Sequence, residues 1–162
     1  MQSTTLHRPV FGILVGGAVA ATLDLVYAIV RNGLGGARPL WTLQLVASGW
    51  LGESAFTSGA LAGVLGFLSH YGIVFVATAL YYVASKRVPV LRSRAVACGA
   101  LFGVLVYLFM NFAVLPLSAF PYKLTYDAAR LIEGFVSHAL LVGLPIALAI
   151  RRFAGNGSSG IA

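Results

Sequence analysis

The chain has 162 residues, of which 59% are hydrophobic and only 9% charged, and its mean hydropathy is +0.92. Soluble domains carry about 25% charged residues, so this composition excludes an ordinary soluble domain and points to membrane spans. A formal charge of +7 does not make the chain a nucleic-acid binder, because its basic residues sit in short interhelical loops without interleaved aromatics. They read instead as topology signals and contacts to anionic lipid headgroups.

Taken in order, four apolar runs at 10–30, 60–84, 95–115 and 131–150 each suit a hydrocarbon core of about 30 Å. The predicted fold is all-α, a four-helix transmembrane bundle forming one domain over 1–154. In the first run, Ala18-Val19-Ala20 after Arg8 imitates a signal-peptide cleavage site. The apolar stretch continues to Val30, however, longer than a signal h-region. His7 is expected in a solvated tail before it. Pro39 suits a first helical position, and Leu43, Ala47 and Trp50 share a face. A short interfacial or re-entrant helix over 39–52 is therefore expected in the first outer loop. Tyr81 and Tyr82 are expected to anchor the second run at the inner interface. Cys98, the lone cysteine, excludes an intrachain disulfide and reads as a small hydrophobe in the third run. Pro116 and Pro121 predict an irregular second outer loop. Pro145 removes the partner of the Leu141 carbonyl and predicts a kink below His138. The Gly/Ser-rich tail at 155–162 is expected to be disordered.

Positive residues give the orientation. One side carries Arg8, Lys86, Arg87, Arg92, Arg94, Arg151 and Arg152, and the other only Arg31, Arg38, Lys123 and Arg130. Both termini are expected in the cytoplasm, with Trp41 and Trp50 at the outer interface.

Two pentapeptides repeat: Gly66-Phe67-Leu68-Ser69-His70 and Gly134-Phe135-Val136-Ser137-His138. In the odd runs Gly12, Gly16, Ala20 and Asp24 recur every four residues, as do Gly99, Gly103, Tyr107 and Asn111. The chain thus reads as two tandem helix hairpins of the same orientation, with Asp24 matched to Asn111. Spacing of four places each polar residue on a stripe of small residues, and such stripes face neighbouring helices. Asp24, His70, Asn111 and His138 are all expected roughly 6–14 Å below the outer boundary, forming one inward-facing polar ring. Glu133, Arg31 and Arg130 are placed at its mouth.

An ionisable residue within a span is costly and points to function. A proton or ion pathway follows from imidazoles that titrate near neutrality beside a carboxylate. Alternatively, His70 and His138 are the axial ligands of a b-type haem, with Arg31 and Arg130 near its propionates. In a third reading the ring only joins helices, in an accessory subunit whose outer loop docks a partner. A divalent metal on Asp24, His70 and His138 lacks a dense ligand motif. Hydrolytic chemistry fits poorly, since each Ser–His pair is about 100° apart on its helix. The expected partners are the lipid bilayer and, beyond it, a second copy or a larger membrane complex.

Ala47-Ser48-Gly49-Trp50-Leu51-Gly52, His70 through Tyr82, and Met110 through Ser118 carry a resemblance. They resemble an uncharacterised family of small four-span proteins of bacterial inner membranes, more distantly YagU-like. The resemblance covers about 10–152 and implies the topology and a bacterial inner-membrane location. It implies no catalytic residue.

Overall fold

The computed structural model describes residues 4–123 and 125–154; the tail expected at 155–162 lies outside them. Among the described residues there is no strand. Four helices are long and apolar enough to cross a membrane: a first span Thr4–Leu34, a second Gly59–Arg87, a third Ala95–Leu117 and a fourth Ala128–Phe153. Inside hydrocarbon a helix satisfies its own backbone polar groups, so long apolar runs take this form. The first span, at 31 residues, is about 46 Å long. It therefore tilts or projects beyond the hydrocarbon. His7 belongs to this helix rather than to a tail before it. The third span runs through Pro116 to Leu117, two residues beyond the predicted end.

Pro116 and Pro145 act through the same device. The third span widens into a π turn over Met110–Val114, just before Pro116. The fourth does so over His138–Gly143, just before Pro145. A proline has no N–H to give the carbonyl four residues back, and its ring crowds that oxygen. A wider turn relieves the conflict without breaking the helix. The kink predicted below His138 thus takes the form of a π turn that starts at His138 itself.

Packing is set by close glycine crossings. Gly12 and Gly16 lie against Phe153, Ala149 and Ile146, so the first span packs on the fourth. A Cβ on Gly103 would overlap the carbonyl oxygen of His138, and one on Gly143 would overlap that of Gly99. The third and fourth spans therefore touch backbone to backbone. The second span packs on the first, while the second and third hardly meet. The spatial order is second, first, fourth, third. The tandem repeat equates the first–fourth contact with a third–second one, and only the former is packed.

The helix Pro39–Leu51 does not lie free on the surface. It crosses the second span at Gly63 and Gly66, where Gly66 faces the backbone of Leu43 and Ala47. Ala47 and Ser48 are fully buried there. The carbonyl of Gly49 accepts a 2.9 Å hydrogen bond from the N–H of Ala119, which ties the helix to the loop after the third span. Gly52 ends it at φ +60°, a conformation that favours glycine. In the expected topology the side that carries this helix is the outer one.

The inner half is filled by a core that includes Ala20, Ala21, Tyr81, Ala95, Ile146 and Ile150. Tyr81 is not an interface anchor. It is 1% exposed, packs edge-on to Phe102 at 5.0 Å, and donates its hydroxyl to the Leu91 carbonyl at 2.7 Å. Tyr82, one position round the helix, is half-buried and has the Lys86 ammonium 5.7 Å over its ring.

Two glycine substitutions separate this packing from helix propensity. Gly103→Ala must push two backbones apart and is expected to cost about 1–3 kcal/mol. A Cβ on Gly72 would meet nothing within 4 Å, so Gly72→Ala is expected to be neutral to stabilising, by up to about 1 kcal/mol, since alanine favours the helix. Thermal unfolding in detergent, read by circular dichroism, checks both.

Candidate functional site

Three of the four expected ring residues meet. Asp24 of the first span stands between His70 of the second and His138 of the fourth. Its Oδ2 lies 4.0 Å from His70 Nε2, and its Oδ1 lies 4.0 Å from His138 Nδ1. The three side chains are only 13–22% exposed. Helix geometry explains the convergence. Gly66 and Gly134 sit one turn before the histidines, and their missing side chains bring neighbouring chain segments close on the same face.

Hydrogen bonds fix the imidazole tautomers. His70 Nε2 lies 3.0 Å from the Ala21 carbonyl oxygen, which only accepts, so Nε2 carries the proton and Nδ1 keeps a lone pair. Ser137 Oγ gives its one hydrogen to the Gly134 carbonyl at 3.1 Å. Its 3.3 Å contact with His138 Nδ1 therefore has Nδ1–H donating, which leaves a lone pair on His138 Nε2. In the neutral site the carboxylate, His70 Nδ1 and His138 Nε2 are all acceptors. The Tyr107 ring packs edge-on to His138 at 5.0 Å and holds its plane.

Asn111 does not join the ring. It lies in the π turn of the third span, where its Nδ2 donates to the Tyr107 carbonyl at 2.9 Å. Its own carbonyl accepts from Tyr126 at 2.7 Å, so the residue anchors the outer loop. The matching of Asn111 to Asp24 followed a straight-helix register, and the π turn alters that register.

The residues expected at a mouth form a closure instead. Glu133 accepts from Tyr27 at 2.6 Å and pairs with the Arg31 guanidinium, clasping the outer ends of the first and fourth spans. Arg130 turns away to Asp127 at 3.1 Å, the residue whose carboxylate also caps this helix by accepting from the Arg130 N–H. Tyr27 was missed in the sequence, although Asp24, Tyr27 and Arg31 follow the three-and-four spacing of one helix face.

The opening lies elsewhere. A cavity of about 720 Å³ is lined by Asp24, His70 and His138 together with Trp50, Met110 and Phe120. Its floor is Val74 and Val142, which belong to the core cluster. Trp50 is not simply an interface ring. Its indole Nε1 donates to Ser69 Oγ at 3.0 Å, ten residues past the start of the second span at Gly59, and it is 69% exposed at the gap between the second and third spans. Position in the first outer loop favoured the interface reading; no sequence signal reveals the pairing with Ser69.

These residues do not fit a haem. Both histidines converge on a carboxylate, and iron between them would have to displace it. Arg31 and Arg130 already hold Glu133 and Asp127. Among the described residues no group of three or more His, Cys, Asp or Glu is arranged to hold a metal ion. Comparisons with protein-family models, curated proteins and solved structures find no match to this chain. Function is therefore inferred from the site's geometry.

The tautomer assignment is open to direct measurement. Nitrogen-15 spectra of histidine-labelled His7→Gln protein, which keeps only His70 and His138, are expected above neutral pH to show one Nε2–H and one Nδ1–H imidazole, assigned by loss of each in His70→Ala and His138→Ala. Two imidazoles of the same tautomer would contradict the geometry.

Proposed function

We propose that this multi-pass membrane protein is a proton-coupled carrier whose proton-binding centre is Asp24 with His70 and His138. The observation that carries this reading is a carboxylate with an imidazole nitrogen 4.0 Å away on each side, contributed by three different spans and facing one cavity. A joint between helices needs no ionisable groups, since interhelical hydrogen bonds average only about 0.6 kcal/mol and neutral residues make them. Imidazole is the side chain whose ordinary titration falls near neutral pH. A proton gained by either ring turns a neutral neighbour of Asp24 into an ion pair, which draws that span towards the first. Such a local change of charge biases a two-state element.

A carrier suits the packing better than an open pore. The cavity occupies the outer half, and the apolar core fills the inner half, so passage requires a second arrangement of the spans. The π turns beside the site in the third and fourth spans offer places for that change, because such turns recur at functional sites. The count of positive residues supports cytoplasmic termini, and the resemblance to small four-span proteins supports a bacterial inner membrane.

The test is proton flux in liposomes loaded with a pH-sensitive dye. Asp24→Asn, His70→Ala and His138→Ala are each expected to slow flux at least tenfold with helix content intact, while Asn111→Ala stays near the wild-type rate. Equal rates in all five proteins would reduce the site to a joint between helices and favour the accessory-subunit reading.

A further inference from the structure

We infer that the site takes a single-chain lipophilic amine, which enters sideways from the bilayer between the second and third spans. The inference rests on the proton-coupled reading above and names its substrate class.

The route is a groove of about 650 Å³ on the open side of the bundle. Trp50, Ser69, Ile73, Val106, Met110 and Val114 line both this groove and the site cavity. The two spaces are therefore continuous. Below these shared residues the groove is walled by side chains such as Val76, Leu80, Leu105 and Phe109, each more than half exposed. Among the described residues Ser69 is the groove's one hydroxyl, and it is already engaged by Trp50. In a bilayer these walls face acyl chains, and an alkyl chain enters the groove without losing an apolar environment.

The head is specified by the far end. The acceptor that the site supplies is the Asp24 carboxylate; the imidazole nitrogens nearest it, His70 Nε2 and His138 Nδ1, carry their protons. It carries one negative charge, and among the described residues no Arg or Lys lines either the cavity or the groove. Phosphate, sulfate and carboxylate heads would meet a carboxylate and lone pairs with no cation to hold them. A primary ammonium brings three N–H donors and one positive charge, which matches the charge of the Asp24 carboxylate. An alcohol brings one donor and no charge. Protonation of the histidines would place positive charge beside the ammonium and expel it, which couples release of the amine to uptake of protons.

Trp50 reports entry directly, because it stands where groove and cavity join. With Trp41→Phe, it becomes the sole tryptophan of the chain. In nanodiscs a terminally brominated dodecylamine is expected to quench its fluorescence with a saturable component that unlabelled dodecylamine displaces. Dodecanol and dodecyl sulfate should compete at least tenfold less well. Asp24→Asn should weaken the saturable component at least tenfold. So should Val76→Phe, which narrows the groove without touching the polar end, remains on an exposed face and adds no second tryptophan. Equal competition by the alcohol or the sulfate overturns the proposal, as does full binding in either variant. Absence of a saturable component overturns it too, as it would if a second copy of the chain covered the groove. Should amine binding fail while Asp24→Asn still abolishes proton flux, only the substrate class falls and the proton-binding centre stands.

Discussion

Close approach of backbones at glycine is the constraint on which this architecture depends. In lipid there is no hydrophobic drive to bring helices together, so van der Waals packing decides which spans touch. Gly99, Gly103 and Gly143 lock the third span to the fourth, Gly12 and Gly16 seat the first on the fourth, and Gly63 and Gly66 seat the outer helix on the second. The facing surfaces of the second and third spans have no such crossing. Gly72 meets nothing, and branched and aromatic side chains line the space between the two spans. The lateral gap is thus a consequence of where the glycines are, and the site opens through it.

The same crossings account for the partial legibility of the site. Hydropathy alone locates the four spans, because a helix that must satisfy its backbone in hydrocarbon leaves a long apolar run. Asp24, His70 and His138 were legible because each continues a small-residue stripe on one helix face. Asn111 also does so, yet the π turn ahead of Pro116 ends its register with Asp24. Helical spacing assumes i→i+4 hydrogen bonds, and a proline downstream alters that count. Spacing also says nothing of partners on distant segments. Glu133 was placed near the site, but its pairing with Tyr27 and Arg31 closes the mouth it was expected to form. Trp50 looked like an interface residue because its loop position was visible and its contact with Ser69 was not.

The polar centre is enclosed unevenly, and that asymmetry governs its chemistry. Inward lies a core in which Ile146, Ile150 and Tyr81 are essentially inaccessible. Between the outer ends of the first and fourth spans lies the Glu133 clasp, and beside it the outer helix is pinned to the Ser118–Phe120 segment through Gly49 and Ala119. What remains is the side towards lipid, guarded by one indole ring. A carboxylate in such a place keeps its charge only with donors nearby. The imidazole nitrogens nearest it, His70 Nε2 and His138 Nδ1, both carry N–H groups 4.0 Å from its oxygens. The lone pairs of the two rings are on the other nitrogens, His70 Nδ1 and His138 Nε2.

The central claim is that Asp24, His70 and His138 share protons as one unit. Infrared difference spectroscopy on protein in bilayers, stepped between neutral and mildly acidic pH, tests it most directly. The account predicts imidazole ring bands from His70 and His138 that change together with a carboxyl band, the whole set being altered in Asp24→Asn. A spectrum in which the His70 and His138 bands are unchanged by acid, or change identically with and without the Asp24 carboxylate, would contradict it.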